Sequence, residues 1–392
     1  MIKSEIEIPE EYIDISPYKD SDFQQMACKL VAEDGFKRAI AYAMKGVDFD
    51  AFAKQLCSIT TKNDFQKLMM LPFLAGIESK TSTGITTTGL ENIDKEQPYT
   101  FMSNHRDIVL DASFLNITLI RNNIESCEVA IGNNLLIYDW IDILVKLNKS
   151  FVVRRNLGMR QALEAAKQLS GYIHFALTQK QVPIWIAQRE GRTKDSNDRT
   201  QESLIKMLAI GGKGNIVESV KELMIAPVSI SYEFDPNDYL KAKEFLCKKR
   251  DANFKKSQED DLFSMQTGIF GYKGAINFGF TPCINAELDK LDTTKDKGEL
   301  VKDICAIIDS SIHAAYTIYP CNYIAYDRLN GGDRFASMYG AEDIAAFDKY
   351  ILGEFAKIDL EMSDDEKLFI DNRMLTMYAN PLANKLKATG AI

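Results

Sequence analysis

The sequence predicts an α/β fold in which a central, mostly parallel sheet is flanked by helices, with further helical regions at both ends. Short apolar runs alternate with helix-like segments from about residue 89 to 285, which is typical of a layered α/β domain. The residues before and after this stretch show mostly helical spacing. Hydrophobic residues form 46% of the 392 residues, enough to bury the core of one large domain or two.

The N-terminal region, residues 1–84, is predicted to be helical because segments such as Phe36–Met44 and Asp64–Leu71 carry apolar residues at helical spacing. Residues Lys80–Thr88 are rich in Ser, Thr and Gly, which predicts a loop or linker. The first ten residues are charged and lack the apolar run of a secretory signal. No apolar stretch approaches the roughly 20 residues that span a bilayer, so any membrane contact is expected to be peripheral.

The central region, residues 85–290, is predicted to contain the sheet. Its strands are expected at short apolar or β-branched runs, namely Tyr99–Ser103, Glu128–Ile131, Phe151–Val153, Pro183–Ala187, Ile225–Ser231 and Ala275–Phe280. Its helices are expected at the longer periodic segments, namely Ile108–Arg121, Leu135–Leu147, Met159–Gln179, Glu202–Ala209 and Asp238–Lys249. The C-terminal region, residues 291–392, returns to helical periodicity, interrupted at Pro320 and at Gly331-Gly332.

Charge and cysteine content narrow the possible functions. With 47 basic and 56 acidic side chains, the formal net charge is −9, which argues against general nucleic-acid binding because phosphate backbones need a basic face. The seven cysteines are odd in number and widely spaced, so a disulfide framework is not expected. With only three histidines and no close cysteine pair, no metal site is expected either.

The first motif with chemical potential is the segment Ser103–Asp111, which leaves a predicted strand and enters a predicted helix. His105 is followed by two carboxylates, Asp107 and Asp111. A carboxylate beside an imidazole fixes its tautomer and stabilises the imidazolium while the ring takes a proton. The pattern therefore indicates a general base, although a histidine near two solvated aspartates is also common on protein surfaces.

Three further motifs follow along the chain. Phe151–Arg155 ends a predicted strand with two arginines, whose planar forks match phosphate geometry. Ile186–Thr193 carries Gly191 in a polar turn after a strand, followed by Arg192, which could contact an anion. Ala226–Glu233 has the composition of a core strand. Each motif alone is also typical of an ordinary strand end or a solvated turn.

Together, in this order, the four segments resemble the glycerol-phosphate acyltransferase superfamily over roughly residues 85–235. That family has a His-Arg-Ser-like block with an Asp, then Phe-Ile-Arg-Arg-like, Glu-Gly-(Gly/Thr)-Arg and Pro-Val-Ser-Ile-Ser-Tyr blocks. The lead-in Gly89–Ile93 with Pro98 is similar as well. The Arg154-Arg155 pair and the Ser-Tyr-Glu ending resemble the glycerol-3-phosphate and dihydroxyacetone-phosphate branch more than the smaller lysophosphatidate branch.

Two departures from the family pattern concern the site itself. The family Asp comes five residues after the His, whereas that position here is Leu110 and Asp111 comes six after His105. Arg192 follows Glu190 by two residues instead of three, which makes Arg189 a rival for the same role.

The resemblance implies a bacterial O-acyltransferase of phospholipid biosynthesis, with residues 85–290 as its catalytic domain. It would transfer a fatty acyl group from acyl-CoA or acyl-acyl carrier protein to the hydroxyl of glycerol-3-phosphate or 1-acylglycerol-3-phosphate. No cofactor is implied, because the thioester is already activated. The implied location is cytoplasmic, on the inner face of the cytoplasmic membrane. A different lipid acceptor, carrying an amino acid or a sugar, and a non-catalytic lipid- or phosphate-binding relative are the alternatives.

The resemblance also assigns roles to residues of the four segments. His105 would be the catalytic base and Asp111 its orienting carboxylate, with Asp107 as the alternative. The acceptor phosphate would be held by Arg154, Arg155 and Arg192. Supporting roles would fall to Arg106, Arg189, Glu190 and Gly191.

Overall fold

The computed structural model describes residues 6–391. Residues 1–5 and residue 392 lie outside the described residues. The first five belong to the predicted N-terminal region and form half of the ten-residue segment that lacks the apolar run of a secretory signal. The described chain contains one seven-stranded sheet, formed by β1 (Gly84–Thr88), β2 (Thr100–Ser103), β3 (Glu128–Gly132), β4 (Ser150–Val153), β5 (Ile184–Ala187), β6 (Ile225–Tyr232) and β7 (Ala275–Phe280).

The strands lie in the order β1-β7-β6-β2-β5-β3-β4. All neighbouring strands are parallel except β6 and β7, which are antiparallel. Helices cover the sheet, so the predicted α/β class with a mostly parallel central sheet is confirmed. The central strands are almost continuously buried, as expected for a sheet that is covered on both faces.

The prediction of a loop at Lys80–Thr88 was wrong. A helix continues to Thr81, and Gly84–Thr88 forms edge strand β1, paired in parallel with β7. The threonines suggested a loop, but they are β-branched, and their hydroxyls bond within the sheet. Asn277 donates to the Thr86 hydroxyl at 3.0 Å, and that hydroxyl donates to the Ile276 carbonyl.

Helices fill the rest of the described chain. Those before the sheet are α1 (Asp20–Ala32), α2 (Asp34–Ala43), α3 (Phe49–Ser58), α4 (Lys62–Phe65) and α5 (Leu71–Thr81), with a π-helical turn at Gln66–Met70. Those between or beside the strands are α6 (Leu110–Arg121), α7 (Asp139–Leu147), α8 (Met159–Thr178), α9 (Glu202–Leu208), α10 (Ile216–Lys221), α11 (Asp238–Arg250), α12 (Gln258–Phe270) and α13 (Asn285–Leu288). The last four are α14 (Lys297–Ala314), α15 (Pro320–Asn330), α16 (Ala341–Phe355) and α17 (Asp364–Ala388).

Side-chain alternation divides the core between the two faces of the sheet. Phe101 and Trp185 belong to the cluster beneath α5 and α6, whereas the next residues, Met102 and Ile186, belong to the cluster beneath α8 and α14. A third cluster joins α11 to α15, α16 and α17. A fourth joins α1, α2 and α3 to α7, which anchors the N-terminal helices on the α/β region.

The parallel strands bring the sequence motifs to one edge of the sheet. His105 follows the end of β2 by two residues, Arg154 follows β4 directly, and Arg189 follows β5 by two residues. Because β2, β5, β3 and β4 are parallel neighbours, their carboxyl ends meet at the same edge, where ligands bind in open α/β sheets. Within residues 6–391, no helix combines the length and apolarity needed to cross a bilayer.

Candidate active site

His105 and Asp111 form a direct pair at this edge. The Nδ1 atom of His105 lies 2.8 Å from Oδ2 of Asp111, which is fully buried in the first turn of α6. The six-residue spacing is bridged by the turn between β2 and α6. The other ring nitrogen of His105, Nε2, has no hydrogen-bond partner among residues 6–391, so it is free to meet a substrate.

Three other donors hold the Asp111 carboxylate. The backbone N–H groups of Arg106 and Asp107 donate to Oδ2 at 2.6 and 3.0 Å, and the Tyr232 hydroxyl donates to Oδ1 at 3.2 Å. Burial and the charge of Asp111 raise the pKa of Tyr232 well above its usual value, so this tyrosine remains a donor. The carboxylate is therefore fixed in one orientation, and it fixes the imidazole in turn.

Asp107, the alternative partner, does not bond to His105. Its Oδ1 accepts the backbone N–H groups of Val109 and Leu110 at 2.8 and 2.7 Å, which closes the turn that leads into α6. Burial, and next the charge of Asp111, raise the pKa of Asp107. Of the two carboxylates left open by the sequence, the structure pairs Asp111 with the histidine and leaves Asp107 as a cap.

His105 opens onto a cavity of about 760 Å³. This volume lies in the range of small-molecule sites, which is roughly 300–1,000 Å³. Most of the wall is apolar and comes from the π-helical turn, α5, α6, α7 and β3, with side chains such as Met70, Phe73, Ile117 and Leu144. The charged wall residues come from the strand ends beside His105. The cavity therefore offers a reactive polar mouth and an apolar interior.

The part of the chain that carries this site matches a known protein family. Residues 84–231 match the model of the Acyltransferase family. This segment is an acyltransferase domain. It begins with β1, ends in β6 and contains His105, Asp111 and the strand-end arginines, so the resemblance seen in the sequence is confirmed and the chain is an acyltransferase enzyme.

The solved structures include a 1-acyl-sn-glycerophosphate (LPA) acyltransferase from Thermotoga maritima, which aligns with a TM-score of 0.38 at 9% identity, over 73% of this chain and 95% of that one. No curated protein matches the chain. The assignment of the acyltransferase therefore rests on the family match.

The strand-end arginines of the acyltransferase differ in their partners. Arg154 forms an ion pair with Asp14, and Nη1 of Arg155 lies 2.9 Å from Oε1 of Glu190. Arg189 also lines the cavity, and it has no hydrogen bond or ion pair among residues 6–391. The structure thus brings Arg154, Arg155 and Arg189 together at the cavity mouth, with one of the three unneutralised.

Arg192, which the sequence assigned to the acceptor phosphate, does not line this cavity. Its side chain is buried, and Nη2 donates to the Ser264 hydroxyl of α12 at 2.8 Å. The physical reason is the turn at Gly191, whose φ of +68° directs the chain so that residues 189–191 line the cavity while residue 192 points inward. The assignment of phosphate binding to Arg192 is therefore corrected, and Arg189 takes the position in the cavity.

Arg106 also points away from the cavity mouth. Its Nη2 lies 2.9 Å from Oδ2 of the buried Asp198, and its guanidinium lies over the ring of Tyr316 at 5.7 Å. The Tyr316 hydroxyl donates to the same Asp198 carboxylate at 2.8 Å. Arg106 thus ties the loop after β2 to the loop after β5 and to Tyr316, just after α14, and it does not line the cavity.

Sequence reasoning missed two residues of the site. The ring of Trp185 lies edge-on to His105 with centroids 5.8 Å apart, and its Nε1 donates to the Ser103 hydroxyl at 3.0 Å. Tyr232 was within the fourth motif but received no role. Both are apolar enough to be counted as core residues, so only the strand register would have revealed that they face His105 and Asp111. Within the described part of the chain, no group of His, Cys, Asp or Glu side chains has the arrangement of a metal site.

Proposed function

We propose that this acyltransferase transfers a fatty acyl group from acyl-CoA or acyl-acyl carrier protein to the hydroxyl of a phosphate-bearing glycerol acceptor, either glycerol-3-phosphate or 1-acylglycerol-3-phosphate. One observation supports this above all others. The His105–Asp111 pair opens onto an apolar cavity whose mouth carries three arginines. The proposed setting is phospholipid biosynthesis at the inner face of the cytoplasmic membrane, with the protein bound peripherally.

In the proposed reaction, Nε2 of His105 removes the proton from the acceptor hydroxyl as its oxygen attacks the thioester carbonyl carbon. The tetrahedral intermediate then expels the thiolate, which takes the proton from the imidazolium and leaves as a thiol. Asp111 keeps the proton on Nδ1 of His105 and stabilises the imidazolium between the two steps. No enzyme nucleophile is needed because the donor is already an activated ester.

The acceptor phosphate is proposed to bind at Arg189, with Arg154 and Arg155 nearby. Arg189 is the strongest candidate because it lines the cavity without a carboxylate partner among the described residues. Holding the phosphate positions the hydroxyl close to His105, so that the reaction gains from orientation. The backbone N–H of Gly191 lies in the same turn and is proposed to stabilise the developing oxyanion.

The donor chain is proposed to occupy the apolar interior of the cavity. Each buried methylene contributes roughly 0.8 kcal/mol, so a long chain is bound mainly by its removal from water. The thioester then lies at the polar mouth beside His105, and the thiol carrier remains outside.

Thiol release from palmitoyl-CoA and from palmitoyl-acyl carrier protein tests this proposal. Glycerol-3-phosphate, lysophosphatidate and their phosphate-free counterparts, glycerol and monoacylglycerol, serve as acceptors. We expect release only with a phosphate-bearing acceptor, and a fall of about 10²–10⁴ in His105→Ala and Asp111→Asn. Asp107→Asn is the matched control, because it changes the neighbouring carboxylate and should retain most of the activity.

Full activity in folded His105→Ala would overturn the mechanism. Equal rates with phosphate-free acceptors would contradict the proposal that the acceptor carries a phosphate. That result would favour lipid acceptors that carry an amino acid or a sugar. If the folded wild type released no thiol with any donor and acceptor, the transfer reaction itself would be refuted for these substrates.

A further inference from the structure

The apolar cavity has a polar end, defined by Gln66, Asn148 and Ser150. All three residues line the cavity. They come from the π-helical turn, from the loop after α7 and from the first residue of β4. The neighbouring wall residues Val129 and Leu144 are apolar, and Asn116, which also lines the cavity, is already bonded through its amide to the Cys127 backbone. A pocket built only for a hydrocarbon chain would not need hydrogen-bonding groups at its end.

The strand register places this polar end far from His105. Ser150 pairs with Val129, Val129 with Trp185, and Trp185 with Phe101, so Ser150 is level with a residue two positions before the end of β2. Strand β4 lies three strands from β2, which is about 14 Å across the sheet at the usual strand spacing. His105 lies four residues beyond Phe101, which adds about 13 Å along the strand direction. The polar end therefore lies roughly 19 Å from the base, at the depth of the distal part of a long acyl chain.

The hydrogen bonds of the polar end are incomplete. Both polar atoms of the Gln66 amide have a partner, since its oxygen accepts from the Ser126 hydroxyl and its nitrogen donates to Oδ1 of Asn148 at 3.2 Å. The Asn148 amide nitrogen and the Ser150 hydroxyl have no partner among residues 6–391. Ser150 is only 6% exposed, yet its side chain lines the cavity. The Asn148 amide nitrogen can therefore donate a hydrogen bond to a ligand in the cavity, and the Ser150 hydroxyl can donate or accept one.

From this arrangement we infer that the acyltransferase prefers donors whose acyl chain carries a neutral hydrogen-bonding group, above all a hydroxyl, in its distal half. The inference rests on the proposed function. Ser150 and Asn148 are uncharged, and the charged side chains that line the cavity lie at its mouth, which favours a neutral polar group over an ionised one. A plain alkyl chain would leave both groups unpaired, whereas a hydroxyl would satisfy them.

The test compares kcat/KM for palmitoyl-CoA with that for hydroxypalmitoyl-CoAs whose hydroxyl lies at successive positions from the middle to the end of the chain. We expect at least one hydroxylated donor to be preferred by roughly fivefold, the value of a good neutral hydrogen bond. Ser150→Ala should bring the ratio to about one, and Ser150→Thr should retain it because the hydroxyl is kept.

Ser113→Ala is the matched control for this experiment. Ser113 also lines the cavity, but its hydroxyl already donates to the Val109 carbonyl at 2.8 Å, so its removal should leave the preference unchanged. Equal kcat/KM for plain and hydroxylated donors, or an equal loss of preference in Ser113→Ala, would overturn the inference and leave only water at the polar end. Absence of transfer from every donor would instead refute the proposed function, and the two failures are distinguishable.

Discussion

The N-terminal and C-terminal helices have the same periodicity in the sequence but different relations to the site. The N-terminal residues Gln66, Met70, Phe73 and Leu74 line the cavity, whereas within residues 6–391 no residue beyond Ile269 does so. The C-terminal helices α15, α16 and α17 pack instead with α11 in a separate apolar cluster. The N-terminal region therefore helps to shape the cavity, whereas the C-terminal region packs on the framework of the domain.

The C-terminal contacts centre on Tyr378 of α17. Its hydroxyl donates to Oδ2 of the buried Asp238 at 2.6 Å and accepts the backbone N–H of Asp235 at 3.2 Å. Its ring packs edge-on against Phe347 with centroids 5.3 Å apart. These bonds join α17 to the start of α11, just after β6, whose last residue Tyr232 holds Asp111. The C-terminal region thus packs on the framework that holds Asp111 and does not line the cavity.

The largest expected effect is that of Tyr378→Ala. Removing this buried ring should lower the free energy of unfolding by about 3–5 kcal/mol, because a cavity forms and two hydrogen bonds are lost. Urea denaturation measures the loss, and the protein that remains folded should keep the wild-type KM for palmitoyl-CoA. Tyr378→Phe, which removes only the hydroxyl, should cost less. A raised KM for palmitoyl-CoA in folded Tyr378→Ala would show that the C-terminal region also affects donor binding.

The next effect concerns the N-terminal helices. Met70→Trp places a larger side chain in the cavity wall, so kcat/KM for palmitoyl-CoA should fall about tenfold or more, a change of roughly 1.4 kcal/mol, while octanoyl-CoA is affected less. Leu68→Trp is the matched control, because Leu68 lies in the same π-helical turn but is 56% exposed. Equal losses with both donors, or in both variants, would mean that this turn does not shape the donor site.

A third effect is a pH dependence of stability in the C-terminal region. Burial raises the pKa of Asp238 to about 8, although the bond from Tyr378 opposes the shift. Between about pH 4 and 8 the folded state holds a proton that the unfolded state has released, so this group makes stability fall as pH rises, by at most about 1.4 kcal/mol per pH unit. Asp238→Asn should therefore gain stability relative to wild type between pH 6 and 8.5, as measured by urea denaturation. If the difference in unfolding free energy between Asp238→Asn and wild type did not change with pH, the raised pKa of Asp238 would be contradicted.

Much of the fold, and the pairing of His105 with a nearby carboxylate, could be predicted because both depend on local sequence patterns. Strands such as Ile225–Tyr232 are buried at every position and consist mostly of apolar residues. A histidine just after such a strand must lie at the carboxyl edge of a parallel sheet. Strand β1 was not predictable, since its threonines suit an exposed edge as well as a loop. The family spacing left Asp107 and Asp111 open, and only the turn between β2 and α6 decides which of them reaches His105.

The sequence could not show which of the arginine side chains point into the cavity. Arg189 and Arg192 lie in the same turn, and which of them enters the cavity depends on the left-handed conformation at Gly191 and on the partners that α12 offers to Arg192. The polar end of the cavity was equally hidden, because Gln66, Asn148 and Ser150 come from three separate elements and meet only through tertiary packing.

The packing of α12 has a consequence for the order in which the enzyme becomes active. A Cβ atom at Gly268 would lie 1.9 Å from Oδ2 of Asp107, so α12 contacts the His105 loop without any side chain between them. Gly268 comes about 160 residues after that loop. At a translation rate of about 5–20 residues per second, the ribosome adds those residues in roughly 10–30 s, during which the His105 loop lacks its neighbour. The packing around the His105 loop is thus completed late in synthesis, well after His105 and Asp111 have been added to the chain.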